Sequence, residues 1–121
     1  MVYEINIPKD SQGLEDFEKN DANLACFKVF DRQGNDISKQ VQYVTIFLSK
    51  NAMLGLGTEL IRLAYNFEEG KEVHVIPASK ETGAEQSMGI FLTPDSCELT
   101  IRCEHFEPIE KYLEEYKKKH E

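Results

Sequence analysis

The sequence of 121 residues contains no tryptophan and only three cysteines, Cys26, Cys97 and Cys103. An odd number of cysteines does not fit a complete set of intramolecular disulfides. Residues 1–4 lack the basic and apolar segments that begin a secretory signal. No apolar run approaches the about 20 residues that cross a bilayer. These absences predict a cytoplasmic protein without a membrane span, whose cysteines are free, buried thiols.

Basic residues are scarce relative to acidic ones, 14 against 22, so the formal net charge is −8. Such a surface repels phosphate groups, which argues against direct binding to nucleic acid and to anionic membranes. The same field accelerates encounter with a basic protein. Acidity also keeps many cytoplasmic proteins in solution, and that explanation can account for the charge by itself.

The length and composition fit one domain covering residues 1–121. Hydrophobic residues make up 40% of the chain, and we find no low-complexity segment, repeat or linker. A chain of this size buries roughly two-thirds of the surface that its unfolded form exposes. We therefore expect a single core that needs neither disulfides nor a metal.

The apolar periodicity predicts six short strands and two helices. Residues 41–48 are apolar on both faces, which is typical of a central strand. Residues 97–103 alternate strictly between apolar and polar, which indicates a strand with one face in solvent. The predicted strands are 2–7, 24–30, 41–48, 72–76, 88–92 and 97–103, and the predicted helices are 51–68 and 105–119.

This order predicts an α+β fold, βββαβββα, with a mainly antiparallel sheet of about five to six strands and two helices packed on it. One or two further helical turns are possible around Leu14 and Phe17. Helix 51–68 carries an apolar stripe, Ser49 or Asn51 can cap its start, and Gly70 would lie just beyond its end. The stripe consists of Met53, Leu56, Leu60, Leu63, Ala64 and Phe67. In the closing helix, the residues expected to face the core are Phe106, Ile109, Leu113 and either Tyr112 or Tyr116.

Known catalytic and metal-binding motifs are incomplete. The run Gly55-Leu56-Gly57 resembles a phosphate-binding loop, but it lacks the third glycine and the Gly-Lys-Ser/Thr sequence. Its glycines indicate either a late helix start or close backbone packing. A zinc site built from His74, His105, Cys97 and Cys103 matches no common spacing. A triad of Ser96 or Cys97 with His74 and a carboxylate lacks a nucleophile elbow, and Ser96 is better explained as a turn residue. We therefore predict no enzymatic activity, no catalytic residue, no cofactor and no metal.

The central part of the chain has a recognisable succession of short motifs. Ile46-Phe47-Leu48-Ser49 is followed by Gly55-Leu56 and Leu63-Ala64, then by His74-Val75-Ile76-Pro77 and Ser96-Cys97-Glu98-Leu99. Over residues 44–102 this succession resembles the small immunity proteins that bacteria encode beside polymorphic toxins, including those of contact-dependent growth inhibition. The resemblance implies a cytoplasmic toxin inhibitor that binds the C-terminal domain of a cognate toxin, which in many such systems is a basic nuclease.

No contact residue follows from the resemblance, because immunity proteins differ most where they touch their toxins. Adjacent acids such as Glu114 and Glu115 are by default a solvated surface, but surface acids also bind Lys and Arg of a partner. Local charge density therefore selects the candidate toxin-binding residues. The first group is Asp10, Glu15, Asp16, Glu18 and Asp21, and the second group is Glu68, Glu69 and Glu72.

Two other functions remain open at this point. The chain could be a small-molecule-binding or enzymatic α+β domain, with a cleft between helix 51–68 and the sheet and with His74, Tyr43 and Arg62 converging on it. It could also act through self-association at a sheet edge. We expect a monomer or a weak homodimer.

Overall fold

The computed structural model describes residues 2–10 and 16–120. They form two compact units, one from Met1–Phe27 with Phe106–Glu121 and the other from Lys28–His105. The elements are a short 3-10 helix at Ser38–Gln40, α1 at Lys50–Tyr65, β1 at Glu72–Val75, β2 at Leu99–Arg102 and α2 at Ile109–His120. In these described ranges, no helix is both long and apolar enough to cross a membrane.

The predicted order βββαβββα is wrong. In place of five to six strands, the described residues contain one antiparallel pair, β1 with β2. The segments 2–7, 24–30 and 41–48 have strand-like sequences but are not strands. A strand exists only where a second backbone accepts and donates its hydrogen bonds. Residues 42–47 form no backbone hydrogen bond with any described residue, so a high β-propensity does not produce a strand there.

The predicted strand 88–92 is replaced by a tight turn. Met88 and Gly89 have positive φ angles of 53° and 75°. The backbones of Ser87 and Ile90 exchange hydrogen bonds of 3.0 and 3.1 Å across them. Two successive residues of positive φ are the geometry of the tightest hairpin turns, which reverses the chain where the sequence pattern predicted a straight segment.

Helix α1 agrees closely with its prediction. The Ser49 side chain accepts a hydrogen bond of 3.1 Å from the Ala52 N–H, which caps the first turn. The helix ends at Tyr65, earlier than predicted. Asn66 caps it, with its N–H donating to the Arg62 and Leu63 carbonyls and its side-chain amide donating to the Arg62 carbonyl. Gly70, with φ of 83°, lies not at the helix end but in the turn that leads into β1.

The β1–β2 pair has the two-faced pattern that the alternation of residues 97–103 predicts. Val73 pairs with Ile101 and Val75 with Leu99, and these four side chains lie on the covered face, where Val75 is fully buried. Two further hydrogen bonds of 2.8 Å, between Gly70 and Cys103 and between Cys103 and Lys71, extend the ladder beyond the strands. Cys103 is therefore buried at the end of the pair.

The covered core is small. Among the described residues only Val75, Ile90 and Cys103 are buried. Phe47 and Tyr43 of the unpaired segment are 91% and 83% exposed. The α1 stripe is partly covered, since Leu56 and Leu63 are half-buried, whereas Met53, Leu60 and Phe67 are exposed. In α2, Ile109 and Leu113 are also exposed, contrary to the prediction that they face the core. Phe106 is half-buried, and of the two tyrosines predicted as alternatives Tyr112 is half-buried and Tyr116 is exposed. The possible turns around Leu14 lie outside the described residues, and Phe17 is exposed and not helical.

Two glycines hold α1 against the 87–90 turn. A Cβ placed on Gly55 would overlap the carbonyl oxygen of Gly89, and a Cβ on Gly89 would overlap the Gly55 backbone. Gly57, two residues further along, has open space around it. Close backbone packing therefore explains Gly55, and because α1 begins at Lys50, a late helix start does not.

The glycine pair leads to a matched mutational test. We expect Gly55→Ala to destabilise the fold by about 1–3 kcal/mol, because backbone atoms must move to admit the methyl group. We expect Gly57→Ala to stabilise it by about 0.5–1 kcal/mol through helix propensity alone. Urea denaturation measures both. Equal effects of the two substitutions would show that α1 and the turn are not in contact.

A second turn, between residues 29 and 38, is held by carboxylates. The Asp31 carboxylate accepts bonds of 2.9 Å from the Gln33 and Asn35 N–H groups. The Asp36 carboxylate accepts from the Ser38 hydroxyl and N–H. The hydrogen bond from Asn35 lowers the pKa of Asp31, and the bond from the Ser38 side chain lowers the pKa of Asp36, because both favour the ionised form.

These lowered pKa values make the turn acid-sensitive. A carboxyl whose folded-state pKa lies below its ordinary value of 3.8 stabilises the fold above that value and loses the effect as the pH falls through the lowered pKa. We expect Asp36→Asn to be less stable than the wild type at pH 6, with the difference shrinking below about pH 4. Urea midpoints at several pH values measure it. Ser38→Ala should remove part of the same pH dependence, and a difference independent of pH contradicts the account.

Candidate functional site

The first group of predicted binding acids lies in the unit formed by the two ends of the chain. Asp10, Asp16, Glu18 and Asp21 are all exposed, and Glu15 lies outside the described residues. The Asp16 carboxylate accepts a hydrogen bond of 2.5 Å from the Asn6 N–H. The Asp21 carbonyl accepts one of 2.9 Å from Ile109 at the start of α2. At least Asp16 therefore stabilises the local backbone in addition to being exposed.

The second group lies in the 28–105 unit, where α1 leads into β1. Glu68, Glu69 and Glu72, which we call the acidic edge, are all exposed. A hydrogen bond of 3.0 Å from Lys71 N–H to the Glu68 carbonyl closes the turn that carries them. The Gly70 and Lys71 backbones are bonded to Cys103 beyond β2. The acidic edge is therefore held on a short turn that is anchored on both sides, which reduces the entropy lost when a partner binds it.

Two residues of the acidic edge have basic neighbours. Glu72 pairs with Arg102 across the strands, and their side chains form an ion pair of 2.8 Å. Glu69 lies 3.2 Å from the His105 ring, and that ring in turn packs against Phe67 at a centroid distance of 4.9 Å. Because all of these groups lie at the surface, the pairs contribute little to stability. The Arg102 guanidinium does offset the charge of Glu72, and the His105 ring occupies one side of Glu69, so Glu68 is the member best placed to meet an incoming cation.

An open hollow of about 450 Å³ lies beside the acidic edge, entirely within the 28–105 unit. Its apolar side consists of Leu63 and Phe67 together with Val73 of β1 and Met88 of the tight turn. Its polar side carries two acids and two bases, so its formal charge balances. The polar lining residues are Glu59, Arg62, Asn66, Glu68 and Lys71. Arg62 is ion-paired with Glu59, one helical turn away.

The outer face of the β1–β2 pair holds a connected polar network. His74 lies opposite Thr100, and the His74 Nδ1 atom is 2.9 Å from the Thr100 hydroxyl. The His74 ring is also 3.6 Å from Glu72 and 3.7 Å from Glu98. All four side chains are exposed. Sequence inspection missed this grouping, because the strands are separated by a long connection, and only the register shows that residue 74 faces residue 100.

The other predicted sites are not assembled. The sequence predicted that His74, Tyr43 and Arg62 would line a ligand-binding cleft beside helix 51–68. Of these three, only Arg62 lines the hollow that is observed there. Within the described ranges, no group of three or more His, Cys, Asp or Glu side chains is arranged so that it could hold a metal ion. The Ser96 hydroxyl is 2.7 Å from the Thr93 hydroxyl, a contact within a turn. Of the thiols expected to be buried, Cys103 is buried, but Cys26 and Cys97 are exposed.

Comparison with protein-family models, with curated proteins and with solved structures gave no match. The motifs of the resemblance are distributed unevenly over the observed elements. Leu63-Ala64 lies in the last turns of α1, His74 lies in β1 and Leu99 begins β2. Gly55-Leu56 lies inside α1 and not at its opening, and residues 46–48 do not form a strand.

The exposure of the thiols leads to a direct chemical test. We expect a thiol reagent such as Ellman's reagent to modify Cys26 and Cys97 rapidly in the native protein, because reactivity requires access to the sulfur. We expect Cys103 to react at least about tenfold more slowly until urea unfolds the chain. Mass spectrometry of peptides identifies the modified residues. Three equally fast thiols would contradict the burial of Cys103 at the end of the strand pair.

Proposed function

We propose that this chain is a bacterial immunity protein that acts in the cytoplasm and binds the toxic C-terminal domain of a cognate effector. The observation that carries the proposal is the acidic edge beside an open, partly apolar hollow in one unit. An interface that binds well combines an apolar centre with a charged rim. In this arrangement the hollow receives an apolar or long basic side chain of the toxin, and the acids draw its cationic surface towards it.

The net charge of −8 supports the same partner. A basic nuclease domain is attracted over distances of about a Debye length, roughly 8–10 Å at physiological salt. Such attraction increases the association rate more than the final affinity. An inhibitor that must capture a toxin before it reaches nucleic acid gains from that increase. The inhibitor works by occupying a surface and needs no catalytic group of its own.

Within this proposal the acidic edge ranks above the N-terminal acids as a contact surface. The turn that carries Glu68 and Glu69 is anchored to β2, and the hollow lies next to it. In the N-terminal group, Asp16 is already bonded to the backbone of Asn6, so using it for a toxin would require that bond to be given up or shared. We assign the N-terminal acids a steering role at longer range.

The test is a calorimetric titration with the toxin-like domain encoded immediately upstream, at low and high salt. We expect a 1:1 complex with a dissociation constant on the order of nanomolar, weakened by salt. The variant Glu68→Lys/Glu69→Lys should slow association by about tenfold or more, because attraction is turned into repulsion at the contact.

The matched control is Glu81→Lys/Glu85→Lys, which changes the net charge equally at two exposed acids of another loop in the same unit. We expect it to change the association rate much less than the acidic-edge variant. Equal effects of the two double variants would mean that only total charge matters and would remove the acidic edge from the interface. Absence of binding at micromolar protein would set the immunity function aside.

A small-molecule-binding role is the second candidate, and the hollow is the observation that favours it. Its volume of about 450 Å³ falls in the range of ligand sites, roughly 300–1,000 Å³. The hollow is open and charge-balanced, so it suits a side chain of a protein partner at least as well as it suits a small molecule. If the toxin domain does not bind, a fragment screen monitored at the methyl groups of Leu63, Val73 and Met88 tests this role.

A further inference from the structure

Helix α2 presents an uncovered apolar stripe to solvent. Ile109, Leu113 and Tyr116 follow one another at steps of four and three residues, which places them on one face of the helix. They are 39%, 60% and 64% exposed. The stripe continues to His120, whose ring lies 4.1 Å from that of Tyr116. The N-terminal end of α2 is fixed by the hydrogen bond from the Ile109 N–H to the Asp21 carbonyl, so the stripe has a defined position on its unit.

The charges along α2 are segregated in a way that points to its occupant. The acids Glu110, Glu114 and Glu115, with Lys111 among them, precede the last turn, which carries Lys117, Lys118 and Lys119. Three consecutive lysines occur nowhere else in this acidic sequence. A second copy of α2 laid antiparallel places its net acidic segment, residues 110–115, against the lysine turn of the first copy, and its own lysine turn against residues 110–115 of the first copy. The helix is therefore complementary in charge to itself when the direction is reversed.

We propose that α2 is a self-association surface on which two copies of this chain pair through antiparallel α2 helices about a two-fold axis. Antiparallel helices bring the same flank of each helix together. Glu110 and Lys117 share one flank of the stripe, because they are two turns apart. Each Glu110 then faces Lys117 of the second copy, and the two Leu113 side chains meet at the axis. An interface of this kind is isologous and closes at the dimer.

The area of the stripe determines how strong this dimer is. Its three exposed side chains offer on the order of 300 Å² per copy, well below the about 800 Å² per partner of a standard stable interface. Elsewhere the net charge of −8 opposes association of like chains. The dimer is therefore weak and forms at chain concentrations on the order of 0.1–1 mM. The proposal does not depend on toxin binding, which uses the other unit of the chain.

The test is sedimentation equilibrium of the full chain at concentrations from about 10 µM to about 1 mM, a range that includes those at which a weak interface associates. We expect the mass to rise from 13.9 kDa towards twice that value. Leu113→Asp should keep the chain monomeric. Because Leu113 is exposed, the substitution should leave the fold intact, and the circular dichroism spectrum of the variant should match that of the wild type. Glu110→Lys or Lys117→Glu alone should weaken the dimer by about tenfold, since each turns two pairs repulsive at once.

The double variant Glu110→Lys/Lys117→Glu is the decisive measurement. It restores both intermolecular pairs with their signs exchanged, so we expect its dissociation constant to return to within about threefold of the wild type. The control Lys118→Glu makes the same charge change on the opposite face of the helix and should weaken the dimer much less than Lys117→Glu. A monomer at 1 mM overturns the proposal, as does a dimer insensitive to Leu113→Asp or a double variant as weak as the single ones.

Discussion

The antiparallel pairing of Glu72–Val75 with Leu99–Arg102 is the contact on which the 28–105 unit depends. It covers one face of each strand and buries Val75 and Cys103, two of the three buried side chains in the described residues. It also fixes the neighbouring segments, because the ladder continues through Gly70 and Lys71 to Cys103. The turn that carries the acidic edge is held by these same bonds. Stability and a candidate binding surface therefore rest on one set of backbone hydrogen bonds.

Outside the β1–β2 pair, the segments of the 28–105 unit that form no strand pairing are held by individual side-chain and backbone contacts. Ser49 caps α1, and the carboxylates of Asp31 and Asp36 order the turn from residue 29 to residue 38. The Gly55–Gly89 approach connects α1 to the tight turn at a distance that only glycine allows. The cap and the carboxylates act over a few residues, and the glycine approach joins one point of α1 to one turn. The 28–105 unit is therefore built from anchored turns more than from a continuous core. Large apolar side chains such as Tyr43 and Phe47 consequently remain at the surface.

Contiguous exposed apolar surface is typical of sites that bind other chains, and both proposed surfaces use apolar side chains of this kind. Each of the two units carries one such surface. In the 28–105 unit, apolar groups line a hollow next to acids held by the strand pair, which suits a basic partner. In the other unit, the α2 stripe is flanked by charges of both signs, which suits a second copy of the same helix. Because the two surfaces involve different residues, the proposed toxin binding and the proposed self-association are separable by substitution.

The features that the sequence determined are those whose physical cause is local. The start of α1 follows from the Ser49 cap and the three-to-four-residue spacing of its apolar side chains. The alternation of residues 97–103 was sufficient to identify the two faces of β2, and 72–76 was identified as a strand. Only the tertiary structure decided which apolar segments find a backbone partner, since pairing depends on contacts between residues far apart in the chain. Residues 41–48 have the stronger strand pattern, yet it is Glu72–Val75 that pairs with a second strand, Leu99–Arg102. The same reason explains the candidate site: charge density singled out Glu68, Glu69 and Glu72, but the ion pair of Glu72 with Arg102 depends on a register between residues 30 positions apart, which no local pattern contains.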